Sequence, residues 1–237
     1  MKPIIDLHTH TISSGHAYST LMENIEWAKK HGLKYYGISD HAPSMPGTAK
    51  PIYFRNLNII HKEIDGVRIL RGIEANILDY TGKIDIDEVF PEKLDYVIAS
   101  LHSPCIIKGN KEDNTNALIG AMKNPYVKII GHPDDSRYPL DYERLVKAAK
   151  EYDILLEMNN SSLGEISYRL NARENYMELL NLCKEYKVKI IFGSDAHICY
   201  EVGDFSSNIK LIEEIGFPKE LIVNYSENPL IDLKIIE

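Results

Sequence analysis

The chain has little of what marks a secreted, membrane-spanning or nucleic-acid-coating protein. Only three cysteines occur in 237 residues, Cys105, Cys183 and Cys199, and none forms a C-x-x-C pair. So sparse and odd a count offers no disulfide framework and suits a reducing cytoplasm, the expected location. No apolar run approaches the ~18 residues that a membrane span needs. Asp6, His8 and His10 interrupt the N-terminus before a signal-peptide apolar region could form. Basic residues are in deficit: 27 Lys and Arg against 35 Asp and Glu leave a net charge of −8. Affinity for long nucleic acids comes largely from Lys and Arg on phosphates, so that partner class is not expected. A small phosphorylated molecule remains compatible, because bound metal ions would supply positive charge. No repeat, low-complexity tract or linker divides the chain. With 44% hydrophobic residues over 237 positions, one domain spanning 1–237 is expected.

What is present is an alternation of short apolar runs with longer amphipathic ones. Strands are expected over 3–7, 34–39, 67–74, 94–100, 127–131, 154–158 and 189–193, each apolar or β-branched and bounded by turn residues. Helices are expected over 21–30, 51–64, 112–123, 142–151, 172–186 and 208–215. The first places Leu21, Ile25 and Ala28 on one face, with Gly32 beyond its end as a C-cap. Strand-then-helix repetition implies right-handed βαβ units and a parallel sheet or barrel.

Seven of the nine histidines fall at or just after the C-terminal end of an expected strand. Asp6-Leu7-His8-Thr9-His10 and His16 follow the first strand, and Ser39-Asp40-His41 closes the second. Later strands end in Gly72-Ile73-Glu74, Ser100-Leu101-His102, Gly131-His132-Pro133 and Gly193-Ser194-Asp195-Ala196-His197. In parallel α/β folds these ends converge on one face, where ligands bind. Imidazole and carboxylate together suit zinc, manganese or iron. On a strand, His8 and His10 point the same way. An unpartnered carboxylate after the apolar strand ending in Glu74 would be costly to bury, so a metal or cation is its expected partner. His31 reads instead as a helix-end cation and His61 as a solvated residue on a helix face. Cys105 and Cys199 read as packing residues.

The motifs Asp6–His10, His16–Thr20, Ser39–His41, Leu70–Asn76, Glu157–Ser161 and Gly193–His197 together resemble the PHP (polymerase and histidinol phosphatase) family, in particular its small stand-alone YcdX-type phosphatases. The resemblance runs from Ile4 to about Pro229. It implies a distorted (βα)7 TIM-like barrel with a trinuclear metal centre at the C-terminal end of the strands. Carried over residue by residue, it gives one ion to His8, His10, Glu74 and Asp195. A second goes to His102 and His132 with Glu74 bridging, and a third to His16, His41 and His197.

That centre implies a phosphomonoester hydrolase using a metal-bound hydroxide, with Glu74, Asp195 and His102 nearest the chemistry. Three divalent ions against two carboxylates leave a charge of about +4, a natural partner for a phosphate dianion. Zinc is the first expectation, with manganese or iron as alternatives. Arg71, Asn159, Asn160 and Arg137 are candidate phosphate or substrate contacts, and the stretch 108–116 is a candidate specificity loop. Histidinol-phosphatase-type activity and an amidohydrolase-like reaction are alternatives within the hydrolases. A catalytically silent scaffold and a nuclease are alternatives outside that reading. The third histidine group argues against a two-metal amide hydrolase, the full ligand set against a silent scaffold, and the net charge against a nuclease.

Overall fold

In the computed structural model, which describes residues 2–164 and 167–235, each of the seven expected strands is present within two residues of its expected bounds. They are β1 (Ile5–Asp6), β2 (Tyr35–Ile38), β4 (Val67–Asn76), β5 (Tyr96–Ser100), β6 (Val127–Ile130), β7 (Leu155–Asn159) and β8 (Ile190–Gly193). All neighbours in the order β1-β2-β4-β5-β6-β7-β8 pair in parallel. Between them run α1 (Leu21–His31), the short α2 (Pro51–Arg55), α3 (Lys111–Met122), α4 (Tyr142–Tyr152) and α5 (Ala172–Tyr186), and α6 (Ser206–Ile215) and the short α7 (Pro229–Asp232) follow β8.

The expected helix over 51–64 is the main correction. It stops at Arg55, and after a 3-10 turn the chain forms β3 (Glu63–Ile64), antiparallel to the start of β4. The cause is Asp65-Gly66: both residues have positive φ, 52° and 81°. Such a pair makes the tight turn of a two-residue hairpin. His61 is therefore exposed in the loop leading to this hairpin, not on a helix face. Gly32 ends α1 as expected, with φ 80° and its N–H on the carbonyls of Ala28 and Lys29.

Strand alternation sorts side chains between two cores. Ile69, Ile73 and Ala75 of β4 pack in the large core that includes the helices, whereas Leu70 belongs to a second cluster with Ile5, Leu7, Tyr96, Ile98 and Ile129. This second cluster fills the barrel lumen. Tyr96 crosses it and donates to the Leu7 carbonyl at 2.7 Å. A Cβ at Gly37 or Gly72 would lie 2.2 Å from Tyr96 atoms, so both positions must stay bare.

The two edge strands are joined by a seam. Above them Thr9 bridges Ala196, with His10 N donating to Ala196 O at 2.9 Å and Asp195 N to His8 O at 2.8 Å. Lower down, the buried Asn224 amide donates to the carbonyls of Ile5 (2.8 Å) and Phe192 (3.0 Å) and accepts from Phe192 N (2.7 Å). The result is a nearly closed, distorted (βα)7 barrel. No helix among the described residues is long and apolar enough to cross a membrane.

Candidate metal centre

The strand ends bring the nine expected ligands together, as parallel topology requires. Glu74 is at the centre and fully buried. Its Oε1 lies 3.2 Å from His8 Nε2, 3.1 Å from His102 Nε2 and 3.0 Å from His132 Nε2. Its Oε2 lies 2.7 Å from His41 Nδ1 and 3.6 Å from His10 Nε2. Asp195 Oδ1 approaches His10 Nε2 at 3.2 Å and His8 Nε2 at 3.5 Å. Four triplets have all ligand atoms within 4.8 Å of one another: His8–His10–Glu74, His8–His132–Asp195, His41–Glu74–His102 and His10–His41–His197. His16 lies against the last triplet, its ring centroid 4.9 Å from that of His41 and 4.8 Å from that of His197.

These atoms fit a set of divalent cations better than they fit each other. His8 Nε2, His10 Nε2, His41 Nδ1 and Glu74 Oε2 are buried and approach neighbouring members of the cluster, yet none makes a hydrogen bond of proper geometry. Unpaired buried polar atoms are costly, and here they face a common gap. The opposite ring nitrogens, by contrast, are held. His8 Nδ1 pairs with Glu157 Oε1 at 2.6 Å, and His102 Nδ1 with Asn76 Oδ1 at 2.7 Å. His10 Nδ1 is 3.0 Å from Ser14 Oγ, whose own proton goes to Asp40 Oδ1 at 2.7 Å. With that proton committed, Ser14 can only accept from His10, which leaves the His10 Nε2 lone pair facing the cluster.

Electrostatics tie the carboxylates to the imidazoles: against its burial, His8 is held well above the usual histidine range by Glu157, Glu74 and Asp195. Burial opposes ionisation of Glu74, yet the surrounding imidazoles of His102, His8 and His41 hold it well below the usual carboxylate range. Asp195 is likewise held low against its burial by His8, His10 and Arg169. Burial and the nearby His197 and His41 push His10 well down, so it stands as a neutral imidazole. His132 and Asp195 both have positive φ, 28° and 55°. Such strain persists only where the surroundings impose it. Glu157 Oε2 receives His132 N at 2.7 Å, and His8 O receives Asp195 N. Gly193 makes room for Glu157, since a Cβ there would lie 1.9 Å from Glu157 Oε1.

Above the ligands opens a cavity of about 380 Å³, lined by His16, His41, His102, His132, Asp195 and His197 on its polar side. Of the expected substrate contacts, only Arg137 lines it. Arg71 is on the face of β4 opposite to Glu74, and its guanidinium donates to the Ile60 carbonyl at 2.7 Å. Asn160 accepts from Ser207 N and Asn208 N at the start of α6, a structural cap. Asn159 is buried beneath the cavity and donates to Glu157 and Asp195 at 3.2 Å each. The stretch 108–116 is mostly the first turns of α3 and does not line the cavity, to which α3 contributes Leu118 and the preceding loop Leu101, Ser103 and Pro104. Arg169 was not among the expected contacts. It is buried, lines the cavity, and donates to Asp195 Oδ2 at 3.0 Å. Burial works against its charge, but Asp195 and Asp134 more than restore it.

The PHP domain model matches residues 6–191 of the chain. A "Probable phosphatase" of Clostridium botulinum (strain Langeland) is 46% identical over 232 residues, covering 98% of this chain and 94% of that protein. A "Probable phosphatase" of Caldicellulosiruptor bescii is 50% identical over 222 residues, covering 94% and 91%. Among solved structures, the histidinol phosphate phosphatase of Lactococcus lactis, complexed with zinc, L-histidinol and phosphate, aligns with a TM-score of 0.66. That alignment has 20% identity and covers 92% of this chain and 95% of that one. An archaeal ribonuclease P with mature tRNA aligns at TM-score 0.59 and 15% identity, over 97% and 87%. At such identities the two structures speak for the barrel alone. The family match and the near-full-length relatives, together with the nine converging histidine and carboxylate side chains, place this chain in the PHP domain family.

Proposed function

We propose that this PHP-family phosphatase hydrolyses small phosphomonoesters at a centre of three divalent ions. His8, His10, Glu74 and Asp195 would hold one ion, and His102, His132 and the bridging Glu74 a second. His16, His41 and His197 would hold the third. The observation that carries the reading is the set of buried nitrogen and oxygen atoms, lacking hydrogen bonds of proper geometry, gathered around Glu74 beneath one cavity. When bound, such ions supply Lewis acidity and a water acidified towards neutrality. Zinc suits this donor set first, and manganese or iron suits it as well.

The chain's own residues prepare the site. Glu157, Asn76 and Ser14 fix the rings of His8, His102 and His10. Asp195, ionised, anchors Arg169 at the cavity wall. Arg137 keeps guanidinium N–H groups beyond those given to Asp135, so it is placed to donate to phosphate oxygens, while Arg169, donating to Asn159, Ser162 and Asp195, fixes the cavity floor beside it. All three cysteines are free, which supports a cytoplasmic location. The test is a panel of phosphorylated metabolites assayed on protein reconstituted separately with zinc, manganese and iron. Release of inorganic phosphate with at least one metal is expected. Full metal loading with no release from any monoester would overturn the reading.

A further inference from the structure

Away from the metal-ligand candidates much of the cavity wall is apolar, with the Ser103 and Tyr138 hydroxyls as its uncharged polar groups. Met45, Pro46, Leu101, Pro104 and Leu140 line it, with the exposed Tyr168 ring at its rim. Only two carboxylates line the cavity among the described residues, and each is already engaged by an arginine. Arg137 binds Asp135 through Nε at 2.6 Å and Nη2 at 2.5 Å, and Arg169 binds Asp195 at 3.0 Å. Both pairs are largely buried; Asp135 and Asp195 expose only 7% and 6% of their side chains. The Arg137 guanidinium also lies over the Tyr168 ring, 4.8 Å from its centroid, and this brings positive charge to the rim.

We infer that the enzyme selects phosphomonoesters whose alcohol portion is compact, apolar and uncharged, and discriminates against esters carrying an ammonium group. An apolar alcohol gains by covering the Met45–Leu101–Leu140 wall. An ammonium group would be desolvated there, and among the described residues both lining carboxylates are already paired with arginines. The inference rests on the phosphatase reading, since it concerns the same cavity.

The decisive comparison is kcat/KM for benzyl phosphate against 4-(aminomethyl)benzyl phosphate, which share a leaving oxygen and differ by one charged arm. p-Nitrophenyl phosphate serves as the activity reference and L-histidinol phosphate as a second amine ester. Benzyl phosphate should exceed both amine esters by at least about tenfold, the scale expected when a charge is buried unpaired. Arg137→Gln releases Asp135 and should move the ratio towards the amine esters, whatever it does to overall rate. Met45→Glu, which adds a carboxylate to the apolar wall, should move it the same way. Equal or better use of the amine esters by the wild type, with p-nitrophenyl phosphate hydrolysed, would overturn the selectivity alone. So would an unchanged ratio in both variants. Hydrolysis of none of the esters by the metal-loaded protein would overturn the phosphatase reading and this inference with it.

Discussion

The barrel lumen changes character within one strand repeat. On the inward face of β4, Leu70 and Gly72 border the Tyr96 plug, in a cluster whose members expose 5% or less. Two residues further along the same face, Glu74 meets only imidazoles. In the plug even the Tyr96 hydroxyl makes a hydrogen bond; at the mouth, four buried ligand-type atoms make none of proper geometry. The plug is what holds strands at fixed distances, and the mouth is what those distances are for. Substitutions in the mouth should therefore move metal binding and activity while leaving the fold, and substitutions in the plug should do the reverse.

The largest effect is expected for Glu74→Gln, which keeps the shape and removes the charge shared by the cluster. Activity should fall by more than about a hundredfold, beyond the 10–100-fold typical of residues that only orient a ligand. Metal content by elemental analysis should drop, and the melting temperature of the metal-free protein should not. Retained turnover and metal would remove Glu74 from the ligand set. Ser14→Ala withdraws the acceptor from His10 Nδ1 and the contact to His41 N. Metal affinity, read by competition with a chromogenic chelator, should weaken roughly 10–100-fold with thermal stability little changed.

Gly72→Ala tests the other side of the contrast. Its Cβ would lie 2.2 Å from Tyr96 Cζ, so the plug must distort, at a cost of about 1–3 kcal/mol. Thermal denaturation should show the loss, while the folded fraction keeps the wild-type metal content. Metal loss at unchanged stability would erase the distinction between plug and mouth.

The smallest effect at neutral pH concerns Cys183, on the buried face of α5. Burial pushes its thiol up from 9.0 to about 12. The folded chain thus holds this proton more tightly than the unfolded one, so stability is constant up to about pH 9 and falls as pH rises towards 12. Alkylation at pH 8 should be far slower in the native protein than in urea. Fast native alkylation would contradict the packing that surrounds it.

Much of this contrast was legible in the sequence, because parallel strands carry their chemistry at their C-terminal ends. The strands, and the convergence of the nine candidate residues at one end of the barrel, needed only the apolar runs and the residues after them. What escaped was set by parity and by tertiary contact. Arg71 is one residue off the Leu70–Gly72–Glu74 face, so a strict period of two sends it to the helices, where Ile60 receives it. The same parity, counted from Leu155, turns Glu157 and Asn159 inward. The Asp65-Gly66 hairpin was readable from its turn residues and was masked by the apolar run Leu57–Ile60 before it. Arg169 had no local signal, since its role comes from Asp195, 26 residues away. Asn160 looked like a site residue by proximity to Asn159, but its amide caps α6.

The most direct test of the mouth as a metal centre is to count ions in the wild-type protein. Chain purified with supplemented divalent metal would be measured by elemental analysis, and the ions located by anomalous scattering. Close to three ions per chain, gathered around Glu74 and Asp195, is the expected result. One ion or none, in folded protein, would contradict it.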